Sequence, residues 1–558
     1  MKSAQARDVT HGILITSAGI IRRPRAQLHG DTPMSKTYDA IVIGSGFGGA
    51  ITACRLAERG LNVLVLERGR RWTPQEYPRK PSDPWLFDGN DPAKQHGWLD
   101  LRFFKHMTVA QAAGVGGGSL AYSSVALEAH PSLFADGWPA EITYDELKPC
   151  YDRAAAMMNL QAVPDNQLTQ RFKLAREAAE ALGHRDRFSK APLAVSFSPD
   201  WSYDLDDPFN HRHSRRFTNA HGQQQGTCIH LGNCDIGCDV GAKNTLDVNY
   251  ISRAEQRGAE VRPLHLVRAI EPTDAGYRVV FDRIHQGQLI RGEETGARVF
   301  IAAGSLGSTE LLLRCRDEHK TLPNLSKALG GKWSANANVL SMATYDDASR
   351  VQQTIGPTIS SVLDFMDGSS DDQRFVIEDD GFPNTLLNAF RACRDRGVAT
   401  DVGQSLLRQI EEHLAGDEQS RNVMVWLGAG MDAADGRLSL RRRFGQKPRA
   451  LDLRWRPEQS RSVVELILAL HERMTAATGG HLLPNPGWSL FRNLVTLHPL
   501  GGCGMGATSQ TGVVDHLGRV FGYPNLHVVD GSILPSSVGR NPSHTIAALA
   551  ERIASHVV

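Results

Sequence analysis

From Tyr38 onward the chain sets short apolar runs against stretches of helical period. Ala40 to Ile43 is apolar and short enough for a strand buried on both faces. A helical pattern follows and stops at Gly60, a residue that can cap it. A second apolar run, Val63 to Leu66, ends at Glu67, so residues 38–67 predict a strand–helix–strand unit. Residues 298–316, R-V-F-I-A-A-G-S-L-G-S-T-E-L-L-L-R-C-R, predict a buried strand, a glycine turn and a helix. By contrast, 331–490 is less regular and richer in charge, and no internal repeat or low-complexity tract interrupts the chain. No apolar run is long enough to span a bilayer. Residues 1–33 stand apart. They hold G-I-L-I-T-S-A-G-I-I followed by R-R-P-R, the reverse of the charge order of a secretory signal. Met34 stands just before the first core strand, so 1–33 is expected to be a disordered, non-structural extension.

Composition narrows the field. A chain of 558 residues is long enough for two domains. Its 62 lysines and arginines nearly balance 61 aspartates and glutamates, so no strong field points to nucleic acid or an anionic membrane. Eight cysteines in such a length are not a disulfide scaffold, and the expected location is the cytoplasm, free or at the periphery of a membrane.

The turn after the first run is G-x-G-x-x-G, as Gly44, Gly46 and Gly49. The first permits a tight turn, the second a close approach to a pyrophosphate, and the third close helix–strand packing. The helix start then offers free N–H groups and positive partial charge to phosphates. Glu67 stands where an acid can accept from ribose hydroxyls, which argues against a 2′-phosphate but does not separate NAD from FAD. A second glycine loop, G-V-G-G-G-S from Gly114 to Ser119, can also bring amides to a cofactor.

Near the C-terminus come L-H-P-L-G-G-C-G-M-G (Leu497 to Gly506), V-V-D-G-S within Gly518 to Pro535, and V-G-R-N-P-S-H-T (Val538 to Thr545). With the glycine motifs, in this order, the chain resembles the glucose–methanol–choline (GMC) oxidoreductases, FAD flavoproteins, and most closely their cholesterol-oxidase-like branch, over essentially all of Tyr38 to Val558. The resemblance implies an α/β fold with an α+β second domain. A doubly wound Rossmann-type FAD domain would be assembled from 38–160, 228–330 and 490–558. A discontinuous substrate domain, 161–227 and 331–489, would carry a sheet over the flavin.

It also implies a site. His498 and Asn541 would be the catalytic pair: the imidazole accepts the alcohol proton or orders a water that does, and a donor such as the Asn541 amide stabilises developing charge on oxygen. Hydride would pass from carbon to the flavin. Gly118 and Ser119, Val267, Asp530, Gly531, Asn541 and Pro542 would add FAD contacts, with Asp530 accepting from a ribityl hydroxyl; the alternative for Asp530 is a strand-end cap. His544 ranks below Asn541 as a partner. Two departures matter. Tyr122 stands where cholesterol oxidases often carry an asparagine, and no glutamate is in register around S-R-N-V-M-V-W-L (Ser420 to Leu427), although Glu418 is close. These departures argue against coupled steroid isomerisation, and with it against a steroid substrate. Glu378 reads as a solvated or turn acid. The expected reaction is FAD-dependent oxidation of an apolar, sterol-like alcohol. A sugar or polyol dehydrogenase of the same family, or an electron-transfer flavoprotein, are the alternatives.

The loop C-I-H-L-G-N-C-D-I-G-C concentrates Cys228, Cys234 and Cys238. Its C-x5-C-x3-C spacing resembles the [3Fe-4S] loop of FAD glucose dehydrogenase catalytic subunits, though Asp239 replaces the usual following proline. A cluster would send electrons singly to a quinone or redox protein rather than to oxygen. Zinc held with His230, a disulfide, and buried thiols in a tight turn are the other readings.

Overall fold

The computed structural model describes residues 37–557 apart from 136, 382, 384, 396, 398–407, 409–421 and 443–448. The extension 1–33 and Glu418 therefore lie outside the described residues. The predicted unit forms: β1 (Thr37–Ile43), α1 (Phe47–Glu58) and β2 (Val63–Leu66), with β1 and β2 parallel. All four residues of β2 are buried, which is why the strand reads as an unbroken apolar run.

β3 (Glu260–Arg262) extends this sheet beyond β2 in parallel. On the other side of β1 lies β6 (Gln288–Ile301), preceded in a meander by β4 (His265–Thr273) and β5 (Gly276–His285). β6 has two jobs. Its first half pairs antiparallel with β5; its last residues pair parallel with β1 and with the late strand Leu526–Val528. The predicted glycine turn and helix after it follow as α2 (Gly304–Asp317). The last helix, Ser543–His556, packs against α1. There Glu551, nearly fully buried, accepts from Arg55 through both oxygens (2.9 and 2.7 Å) and from the Tyr250 hydroxyl (2.7 Å).

A second, antiparallel sheet runs in the order His481–Leu482, β7 (Val339–Thr344), β10 (Val423–Gly430), β9 (Phe375–Asp380), β8 (Ser361–Asp364), Phe188–Lys190. Every residue of β9 and β10 is buried, so neither face meets bulk water. One face packs on α3 (Arg461–Ala477): the Trp426 indole donates to Thr475 Oγ1 (2.9 Å), and a Cβ on Gly428 would fall 2.3 Å from Ile467. The opposite face, carrying Val425 and Leu427, lines a cavity. Among the described residues no helix is long and apolar enough to cross a membrane.

Candidate active site

The cavity, about 1200 Å³, is lined by residues of both sheets. It exceeds the usual room of a single small-molecule site, and suits a dinucleotide together with a substrate. Gly44, Gly46, Glu67, Gly118, Val267, Asp530, Gly531, His498, Asn541 and Pro542 all reach it. Gly49 and Ser119 do not. Gly49 packs α1 onto the loop, where a Cβ would lie 2.0 Å from Gly44 O, and Ser119 Oγ accepts from Leu246 N (3.0 Å) to brace the second glycine loop.

The two glycine loops make a cradle. At Gly117 (φ +55°) a Cβ would come within 2.4 Å of Gly46 Cα, so the loops can touch only without side chains. A Cβ on Gly118 would meet only open space. α1 starts at Gly46 with no side-chain cap and no acid in its first turn, which leaves its N–H groups free for an anion. This arrangement fits a pyrophosphate. Glu67 is buried, accepting from Ser45 N (3.0 Å), Ser45 Oγ (2.7 Å) and Gly69 N (2.9 Å), so it anchors the turn as well as facing the cavity. Asp530 is more fully committed. It accepts from Gly304 N (2.8 Å) and Ser308 Oγ on one oxygen, and from Ser532 N (2.9 Å) and Ser532 Oγ on the other. It caps the turn Gly531–Ile533, and its lone pairs are largely spent inside the protein.

The reactive corner is built from three distant segments. Asn338 Oδ1 accepts from Leu497 N (3.2 Å), which fixes the amide orientation and turns Nδ2 toward His498, where it donates to Nδ1 (3.1 Å). With Nδ1 accepting, the network assigns the proton of the neutral ring to Nε2. Burial pushes the imidazole down to about 4, so the ring is neutral at neutral pH. Asn541 is buried; its Nδ2 donates to Glu378 Oε2 (3.2 Å), while its Oδ1 has no partner among the described residues. Asn336 ties the corner together. Its Oδ1 accepts from Val538 N (3.0 Å) and Gly539 N (2.8 Å), and its Nδ2 donates to Arg540 O (2.8 Å). Its backbone is left-handed (φ +56°), a conformation asparagine tolerates. His544 is a core residue whose ring nitrogens face the carbonyls of Ala126 (3.0 Å) and Tyr151 (2.9 Å).

Glu378 corrects the sequence reading. It is not a solvated or turn acid but 1% exposed, in the middle of β9 and bonded to Asn541. Burial pushes its carboxyl up to about 8, the Asn541 donor working against that rise. Asn338 and Asn336, in W-S-A-N-A-N, were also missed; the paired asparagines ahead of an apolar run were the available signal.

The cysteine loop does not present itself as a metal centre. Among the described residues no group of three or more His, Cys, Asp or Glu side chains is placed to hold a metal ion. Burial holds Cys228 well above the ordinary thiol value and pushes Cys234 up to about 11, which disfavours thiolates. His230 is not free for zinc: it stacks on Trp201 (centroids 4.2 Å apart), with Nδ1 against the Tyr203 hydroxyl (2.9 Å) and Nε2 against Gln167 Oε1 (3.3 Å). None of the three cysteines is in a disulfide.

Residues 432–550 match the GMC oxidoreductase family and residues 42–76 an NAD(P)-binding Rossmann-like domain. Over 547 residues the chain is 31% identical to a cholesterol oxidase of Mycobacterium tuberculosis, covering 94% of this chain and 91% of that one. It is 28% identical to a cholesterol oxidase of Acinetobacter baumannii, covering 93% and 94%. The solved pyridoxine 4-oxidase of Mesorbium loti superimposes with a TM-score of 0.59 at 17% identity, over 93% of this chain and 99% of that one.

Proposed function

The chain belongs to the GMC oxidoreductase family, and from that premise we propose that it oxidises an apolar, sterol-like alcohol to the carbonyl in an FAD-dependent reaction. The observation that carries this reading is the meeting of a glycine cradle, the His498 ring and the Asn541 amide on one cavity. Gly46, Gly118 and the start of α1 would hold the pyrophosphate, and Glu67 the ribose of the adenosine. FAD, when bound, supplies the acceptor for a hydride. The protein's own work is to orient the alcohol. With its proton on Nε2, His498 offers N–H to the hydroxyl oxygen rather than taking its proton, and Asn541, whose Nδ2 is committed to Glu378, accepts from the hydroxyl hydrogen through Oδ1, the reverse of the roles the resemblance implies. One donor and one acceptor thus bracket a single O–H, and the aliphatic wall of Leu340, Val425 and Leu427 excludes water. Glu378 holds the amide so that its oxygen, not its nitrogen, faces the substrate.

Overall the alcohol loses two electrons and two protons, and dioxygen gains them as hydrogen peroxide. Dioxygen is put first among acceptors because the relatives at 31% and 28% identity are named as oxidases. The finer reading, a [3Fe-4S] cluster on Cys228, Cys234 and Cys238 feeding a quinone or a redox protein, rests on spacing alone. Burial, which keeps the Cys228 and Cys234 thiols protonated, does not fit it.

The test is anaerobic bleaching of the flavin and aerobic peroxide release, with cholesterol and glucose offered singly and in competition to the holoenzyme and to His498→Gln. Bleaching by the sterol, lost about 10²-fold or more in the variant with its flavin spectrum intact, is expected. Bleaching by glucose alone, or full turnover by His498→Gln, would sink the reading.

A further inference from the structure

One acid interrupts the apolar wall of the cavity. On β9 and β10, Glu378 pairs with Leu427 and Asp380 with Val425, so all four side chains share the face that looks into the cavity, while Asp379 points the other way to Ser360 and Ser361. Glu378 is used by Asn541. Asp380 is used by nothing: among the described residues no donor reaches its carboxyl, and its Oδ1 is buried without a partner although the residue is 9% exposed. The cost of such a group falls on the fold unless a ligand relieves it.

Its surroundings are also polar. Gly381 N donates to Thr358 O (2.8 Å), and Thr358 Oγ1 lies 3.4 Å from Asp235 Oδ1, which also accepts from Ser123 Oγ (2.9 Å). Asp235, Ser123 and the adjacent Tyr122 line the same cavity, and the Tyr122 hydroxyl is buried with no partner among the described residues. Two cations act on this group. Lys243 donates to Leu120 O and Cys234 O and faces Tyr122 across 4.9 Å; the Arg171 guanidinium is held by backbone carbonyls of 353–357. No uncompensated negative charge therefore waits for a cation. Burial, with the charge of Asp235 nearby, holds the Asp380 carboxyl well above its ordinary value, so that it can both donate and accept. A hydroxyl is the partner that matches.

We propose that Asp380, with Asp235 beside it and Tyr122 on the same cavity, forms a second polar subsite in the substrate cavity that receives a second hydroxyl group of the alcohol, so that the preferred substrate is a dihydroxylated apolar molecule. The subsite lies two residues along β9 from Glu378, roughly 7 Å at the usual rise of a strand. This rests on the alcohol-oxidation reading and adds the substrate's second functional group to it.

The test uses the holoenzyme and one steroid skeleton: a 3β-hydroxysteroid with no other oxygen, and the same compound bearing a further hydroxyl at C7, C11, C12 or C17. The quantity read is kcat/KM for each dihydroxysteroid divided by that for the parent, so that a general loss in a variant cancels. One position should exceed the parent by about tenfold, the worth of one well-made buried hydrogen bond. Asp380→Leu should bring that ratio to one or below, and Asp380→Asn, whose amide still donates and accepts, should keep part of it. No position above the parent, or a gain that survives in Asp380→Leu, overturns the proposal. Should the leucine variant fail to load flavin, the wild-type profile and the asparagine variant decide it in the same way. If no steroid, parent included, bleaches the flavin, it is the alcohol reading that falls, and the subsite with it.

Discussion

Glu378 offers the sharpest test of the reactive corner. Its carboxyl is held protonated by burial, from an ordinary 4.5 up to about 8. That difference corresponds to roughly 5 kcal/mol, an upper figure for a single group. Between those two values the unfolded chain has released the proton and the folded chain still holds it. The fold therefore binds more protons, and stability falls as pH rises, by about 1.4 kcal/mol per pH unit through the window. Glu378→Gln removes the titration but keeps the shape, and its side-chain carbonyl can still accept from Asn541 Nδ2. Urea unfolding of the two holoenzymes at pH 5, 6, 7 and 8 should show the variant gaining on the wild type step by step, from almost nothing near pH 4.5 to several kcal/mol at pH 8. His498, pushed down to about 4, is common to both proteins and cancels from the difference. At pH 7 turnover should stay within a few-fold of wild type, and an alkaline fall in activity near pH 8 should be present in the wild type and absent in the variant. A constant separation of the unfolding curves across the pH range, or an unchanged alkaline fall, would refute the account of a neutral, buried acid bracing the Asn541 amide.

Asn338→Asp places an acceptor opposite His498 Nδ1 and so moves the ring proton off Nε2. We expect kcat to fall about tenfold or more, with KM little changed and the acid limb of the pH profile moved upward; an unshifted profile would remove the tautomer assignment. Gly117→Ala, with its Cβ 2.4 Å from Gly46 Cα, should push the glycine loops apart and lower FAD content and affinity in equilibrium titration, whereas normal loading would show that the cradle yields. Iron and acid-labile sulfide analysis of anaerobically purified protein should find flavin without iron, and three irons per flavin would overturn the reading of Cys228, Cys234 and Cys238 as free cysteines that hold no cluster.

What could be read in advance was whatever the chain states locally. β1, α1 and β2 and the turn at Gly44 were legible because a buried parallel strand is an apolar run and a phosphate turn needs glycines in a row. The roof was not. F-V-I-E-D-D carries three acids in a row, and in water that pattern belongs to a surface. Two of the three find partners elsewhere in the fold: Asp379 accepts from Ser360 and Ser361, and Glu378 from an amide 163 positions away, while Asp380 has none among the described residues. The same distance hides Asn338, whose imidazole partner is 160 residues further on. His498 and Asn541 were placed by their resemblance to a family motif, not by any property of the residues themselves. The acid at Glu67 and the cap at Asp530 show the reverse limit: both line the cavity, yet most of their hydrogen bonds turn inward.

The double life of β6 has a consequence for how the protein comes to exist. Its last residues bond to β1 on one side and to Leu526–Val528 on the other, and α1 is completed by Glu551 from the final helix. During synthesis, the central strand of the first sheet must wait with one open edge, through more than two hundred residues of intervening chain, for its neighbour to be made. That edge is the place where a nascent or C-terminally truncated chain is exposed to pairing with another copy. The cavity, lined by both the first glycine turn and the segment of His498, is likewise completed only late in the chain's synthesis.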